Sequence, residues 1–87
     1  MDISLKVEVT DSKVKELGAS MVSAMSEINW AKRRGDAYNA SLHGWALLSA
    51  ARTLEILKIP CKRERNEQGK YVSVTIAGVT FSVEEEG

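Results

Sequence analysis

Residues 42–51 read Leu42-His43-Gly44-Trp45-Ala46-Leu47-Leu48-Ser49-Ala50-Ala51, and their apolar side chains point almost all round a helix instead of along one stripe. With Asp36 at zero and ~100° per residue, Tyr38, Leu42, Trp45 and Ile56 fall on one side. Leu47 and Leu54 fall nearly opposite, with Leu48 and Ile59 between. A helix that is apolar all round is normally buried all round. The 87-residue chain has little other material with which to wrap it. The sequence therefore predicts burial against a partner, foremost a second copy of the same chain. It names no reaction and no ligand.

Working outward, Gly35-Asp36 reads as a C-cap glycine followed by an N-cap aspartate. A second helix is expected to start there and to run to about Lys58, with Pro60 ending it. Before it, Val14, Leu17, Met21, Ala24, Ile28 and Ala31 follow a 3-4-3-4-3 spacing, the mark of one amphipathic stripe. Gly18 inside that stripe lowers helix propensity and marks a close backbone approach. Thr10, Asp11 and Ser12 offer capping oxygens at its start. A connection this short makes the two helices antiparallel neighbours.

Both flanks switch to period two. Ile3, Leu5, Val7 and Val9 alternate with Ser4, Lys6 and Glu8, the pattern of a half-buried strand. Residues 71–76 place Val72, Val74 and Ile76 inward, and residues 79–83 place Val79, Phe81 and Val83 inward. Ala77-Gly78 between them is a two-residue turn with glycine supplying φ > 0. Residues 61–66 read as a polar edge strand. The expected fold is α+β in two layers, order β-α-α-β-β-β, as one domain over 1–87. In it an antiparallel sheet is covered on one face by an antiparallel helix pair. The outer flank of the second helix stays uncovered, carrying Trp45 or Leu48, whichever the sheet does not take.

Composition bounds the function. Twelve basic residues balance twelve acidic ones, so bulk charge demands no anionic partner. One cysteine, Cys61, forms no intramolecular disulfide and suggests a reducing compartment, the cytoplasm. The opening residues MDISLKVEV lack the pattern of a secretory signal, and no apolar run approaches 18 residues, so no membrane partner is expected.

Candidate chemistry is sparse. His43, the sole histidine, shares a helical line with Asp36 and Asn39, as a base oriented by a carboxylate would. No nucleophile or second acid has a sequence reason to sit beside it, so a surface or interface histidine is the expectation. No metal or other cofactor is expected either. Cys61 has Lys62 and Arg63 beside it, which favour a thiolate, but small buried cysteines are commonly inert and no base accompanies it.

Basic residues gather as Lys32, Arg33 and Arg34, and as Lys62, Arg63 and Arg65 with Lys58 nearby. Such groups neutralise phosphates. They also complement a helix C-terminus and protect an edge strand, respectively. Arg34-Gly35-Asp36, Asn39-Ala40-Ser41 and Ser12-Lys13-Val14-Lys15 match short functional strings by accident of a turn, a missing export route and missing companion motifs.

The strand Ile3-Ser4-Leu5-Lys6-Val7-Glu8-Val9 and the helices after it resemble the opening of ribbon-helix-helix DNA-binding proteins over about two-thirds of the chain. The first helix is longer than that pattern and the hairpin at 70–84 is additional, so no DNA-reading role passes to Ser4, Lys6 or Glu8. The reading of function is a non-enzymatic, homo-oligomeric interaction or regulatory protein, with Tyr38, Leu42, Trp45, Leu48 and Ile56 at its interface. A further protein partner is compatible with it. The alternative is a nucleic-acid-binding protein using residues 32–34 and 62–65.

Overall fold

The computed structural model describes residues 11–83. Two helices, α1 (Asp11–Arg33) and α2 (Ala37–Ile56), precede three strands, β1 (Cys61–Arg65), β2 (Tyr71–Ile76) and β3 (Val79–Ser82). The strands form one antiparallel sheet in the order β1-β2-β3. α1 packs against α2, β2 and β3, while α2 also meets β1. The result is the expected two-layer α+β arrangement with helices on one face of the sheet. The strand expected at Ile3–Val9 and the Thr10 cap lie outside the described residues.

The helix-turn-helix is set by local chemistry. Gly35 takes φ +70°, and the N–H groups of Gly35 and Asp36 donate to the carbonyls of Lys32 and Ala31 at 3.1 and 2.8 Å. These two bonds close α1 in the Schellman geometry that glycine serves best. Asp36 then caps α2, its carboxylate accepting the backbone N–H of Asn39 at 3.1 Å.

α2 ends at Ile56, two residues short of the expected Lys58, by the same geometry. The Lys58 N–H donates to the Glu55 carbonyl and the Ile59 N–H to the Leu54 carbonyl, at 3.0 and 2.9 Å. This time the left-handed position is Lys58, at φ 57°. The chain thus reverses before Pro60 acts.

α1 is held between α2 and the sheet, and so buries more than one stripe. Val14, Met21, Ile28 and Ala31 are buried as expected, but the next fully buried position is Met25, with Ala24 and Leu17 only half-buried. A helix covered on two sides needs a broader apolar face than period alone suggests. At Gly18 a methyl group would stand 2.5 Å from the Phe81 ring, so this glycine is where α1 approaches β3.

The hairpin β2-β3 pairs Ile76 with Val79 across Ala77-Gly78, whose φ values are 51° and 84°. Positive φ at both central residues suits the right-handed twist of the strands. Val74 and Ile76 enter the core with no exposed surface, and Phe81 and Val83 are half-buried against it. Val79 departs from expectation and is exposed. It sits on the outermost strand beside the turn, past the Gly18–Phe81 contact. On the other face the Thr75 and Thr80 hydroxyls meet at 2.9 Å in solvent.

A register shift between Glu64 and Arg65 pairs Arg65 with Tyr71 and leaves Val72 as the extra residue of the bulge. The bulge reverses the alternation, so Tyr71 is buried and Val72 only half-buried. Asn29 of α1 supplies the missing strand partner. Its amide donates to the Tyr71 carbonyl at 2.9 Å and accepts the Tyr71 N–H at 3.0 Å. One side chain thereby satisfies both backbone groups of a buried residue.

Candidate interaction surface

The outer side of α2 is the feature that the fold leaves unexplained. Only Leu47 and Leu54 of this helix are buried. Tyr38, Leu42, Trp45, Leu48 and Ile56 are 76%, 53%, 77%, 57% and 73% exposed. The sequence left open whether the sheet takes Trp45 or Leu48, and it takes neither. α1 and the sheet both lie on the Leu47–Leu54 side, because the turn at Gly35 brings α1 back along that side only. Trp30, at the far end of α1, is exposed as well, with the Arg34 guanidinium 5.4 Å from its ring centroid.

The residues considered for catalysis do not assemble. Asp36 spends its carboxylate on the helix cap and on the Asn39 amide. Those hydrogen bonds, with the nearby Arg34 charge, hold its carboxyl below the ordinary carboxylate range. His43 lies a turn beyond Asn39, half-buried, with no hydrogen bond joining it to either residue. Cys61 opens β1 on an open groove of about 250 Å³ lined also by Ala51, Glu55, Ile59 and Arg63. This is small beside the usual ~300–1,000 Å³ of a ligand site. Burial pushes the Cys61 thiol above its ordinary value and the Arg63 charge does not reverse this, which disfavours a thiolate. Among the described residues no group of His, Cys, Asp or Glu is arranged to hold a metal ion.

Three of the six basic residues at 32–34, 62, 63 and 65 are engaged locally. Arg34 lies 3.9 Å from the Asp36 carboxylate, and Lys62 lies 3.6 Å from that of Glu64. The Arg65 guanidinium sits over the Tyr71 ring at 4.4 Å and donates to the Tyr71 hydroxyl. The Asn29–Tyr71 bonds place Arg65 at the same end of the molecule as Lys32 and Arg33. Lys62, paired with Thr75, points the cluster away toward the other end. The second group therefore starts at Arg65, near the Lys32–Arg33 end, and runs along β1 to Lys62. Tyr71, the one aromatic beside the basic residues of β1, is buried and has no face free to stack on a base.

Sequence reasoning missed Asn29, the inward Tyr71 and Met25. A polar residue next to the stripe residue Ile28 gave no signal of its own, because its partner is 42 positions away. Among the described residues no helix is long and apolar enough to cross a membrane. No family model, curated protein or solved structure matches this chain.

Proposed function

We propose that this chain is a small non-enzymatic interaction or regulatory protein that works in the cytoplasm as a homodimer or small closed oligomer. The observation that carries the reading is the exposed outer side of α2, with Tyr38, Trp45 and Ile56 each about three-quarters in solvent. Two aromatic rings bury ~150–250 Å² each when covered, so Tyr38 and Trp45 alone present on the order of 300 Å². Leu42, Leu48 and Ile56 extend this past the few hundred Å² that a monomer usually tolerates. Each fully covered large side chain contributes ~1.5–3 kcal/mol. Several such side chains per copy offset the entropy lost on association. The single half-buried thiol supports the cytoplasmic assignment.

Light scattering behind size exclusion at micromolar concentration tests the proposal. The wild-type chain is expected at a multiple of its 9.6 kDa mass. Trp45→Asp or Leu48→Asp, acting twice in a two-fold assembly, is expected to give a monomer or an unfolded chain. A well-folded wild-type particle of 9.6 kDa would remove the proposal.

A further inference from the structure

The exposed residues of α2 have an order that goes beyond their number. Tyr38, Leu42, Trp45, Ser49, Arg52 and Ile56 are all exposed and follow one another at intervals of 4, 3, 4, 3 and 4 residues. At ~100° per residue they lie within a narrow band directly opposite Leu47 and Leu54. This is the a/d seam of a helix that packs along another helix with knobs in holes. It runs the length of α2, ~27 Å at 1.5 Å per residue.

We infer that the occupant of this seam is α2 of a second copy, laid antiparallel across a two-fold axis level with Leu47. This inference rests on the homo-oligomer reading above and specifies its geometry. Reversed about position 47, the seam falls on itself. Tyr38 meets Ile56 of the second copy, Leu42 meets Arg52, and Trp45 meets Ser49. The largest side chain thus faces the smallest, the alternation that lets two helices approach to ~8–10 Å. Arg52 lays its aliphatic stem on Leu42 and releases its guanidinium to solvent at the seam's edge.

Parallel pairing would instead set Trp45 against Trp45 and Arg52 against Arg52, crowding one level and placing like charges together at another. It would also align two helix dipoles that the antiparallel arrangement opposes. On the flanks, antiparallel pairing brings Leu48 against Leu48 of the second copy and Ala46 against Ala46. This places the last large exposed residue of the α2 face, Leu48, in the contact too. Two aromatics, two aliphatics and one leucine flank from each copy bring the buried area to the ~1,000 Å² that a specific interface requires.

Single cysteines placed in full-length Cys61→Ser protein test the arrangement, read as covalent dimer on a non-reducing gel after mild oxidation. Ala46→Cys is expected to cross-link to itself, because the two copies of position 46 lie on the same flank only about 3 Å apart along the axis. Ser41→Cys is expected not to, since its two copies are separated by ~20 Å along the axis at 1.5 Å per residue. Mixed Ser41→Cys and Ala46→Cys chains should give no mixed dimer. A mixed dimer, identified by mass spectrometry, would overturn the inference, because pairing about Leu47 sets the two positions on opposite flanks and about 10 Å apart along the axis. So would equal cross-linking at both positions, which marks random collision. If Ala46→Cys fails to cross-link while light scattering still gives a dimer, the alignment is wrong and the homo-oligomer stands. If the wild-type chain is a folded monomer, both fall together.

Discussion

The two helices have similar lengths, 23 and 20 residues, and are joined by a three-residue turn, yet they use their side chains in opposite ways. α1 is the less apolar helix in composition and buries Val14, Met21, Met25, Ile28 and Ala31 between α2 and the sheet. α2 is the more apolar one and buries Leu47 and Leu54, with Tyr38, Leu42, Trp45, Leu48 and Ile56 in solvent. Hydrophobicity alone therefore does not rank these helices by depth. What decides depth is how much of a helix the chain itself covers. Among the described residues α1 meets α2, β2 and β3 along one broad face, whereas α2 meets α1 and β1 along the narrower Leu47–Leu54 side. The surplus of apolar residues on α2 is what a second copy would use.

The widest separation is expected from truncating one core residue in each helix. Met25→Ala removes a side chain with no exposed surface and should destabilise the fold by about 2–5 kcal/mol. This loss should be the same at all protein concentrations. Leu42→Ala removes a side chain that the single chain leaves half in solvent. It should shift the denaturation midpoint at micromolar protein, and progressively less on dilution, as a linked association requires. Chemical denaturation at several concentrations checks both. A concentration-independent loss for Leu42→Ala would erase the contrast between the helices.

The helical glycines sharpen the same contrast. Gly18 has the Phe81 ring against it, and Gly44 has nothing within 4 Å of where a methyl group would stand. Alanine gains about 1 kcal/mol over glycine in a helix interior. At Gly44 that gain should appear nearly whole. At Gly18 the overlap with Phe81 adds an overpacking loss of about 1–3 kcal/mol, leaving a net destabilisation of roughly 1 kcal/mol. Thermal melts of the two variants should move in opposite directions. A stabilised Gly18→Ala would mean that Phe81 swings aside and that α1 is not held close to β3.

Most of this architecture was legible in sequence because local chemistry and period agree over residues 12–58 and 71–83. The Gly35-Asp36 pair located the turn, and the alternation of Val74, Ile76 and Phe81 identified the inner face of the hairpin. The polar edge strand expected at 61–66 forms over Cys61–Arg65. Four features were not legible. Met25 lay hidden because the spacing through Ala24 is equally regular, and only a second covering layer makes Met25 the deeper residue. Tyr71 turned inward because of a bulge set by pairing with Arg65. Asn29 acquired its role from that bulge. Val79 failed for the converse reason, since a correct alternation does not guarantee that a helix reaches that far. On the candidate surface, the apolar excess of α2 was plain in sequence. Its heptad order became visible only once Leu47 and Leu54 were known to point into the core.

The smallest effect concerns how each helix stops. Both end in the same pair of hydrogen bonds, but the left-handed position is Gly35 after α1 and Lys58 after α2. A side chain in that conformation costs about 1–2 kcal/mol. Glycine avoids this but loses roughly 0.5–1 kcal/mol through the greater freedom of its unfolded chain. Lys58→Gly should therefore stabilise the protein by about 0.5 kcal/mol. Gly35→Ala, at φ +70°, should destabilise it by a similar or larger amount. Ile59, whose N–H reaches the Leu54 carbonyl, also packs against the core that contains Leu54, which holds the reversal in place in spite of the lysine. Denaturant midpoints of the two variants, each compared with wild type at one protein concentration, check the signs. If Lys58→Gly destabilises instead, the lysine's aliphatic stem contributes packing at this corner that outweighs the relief of its backbone.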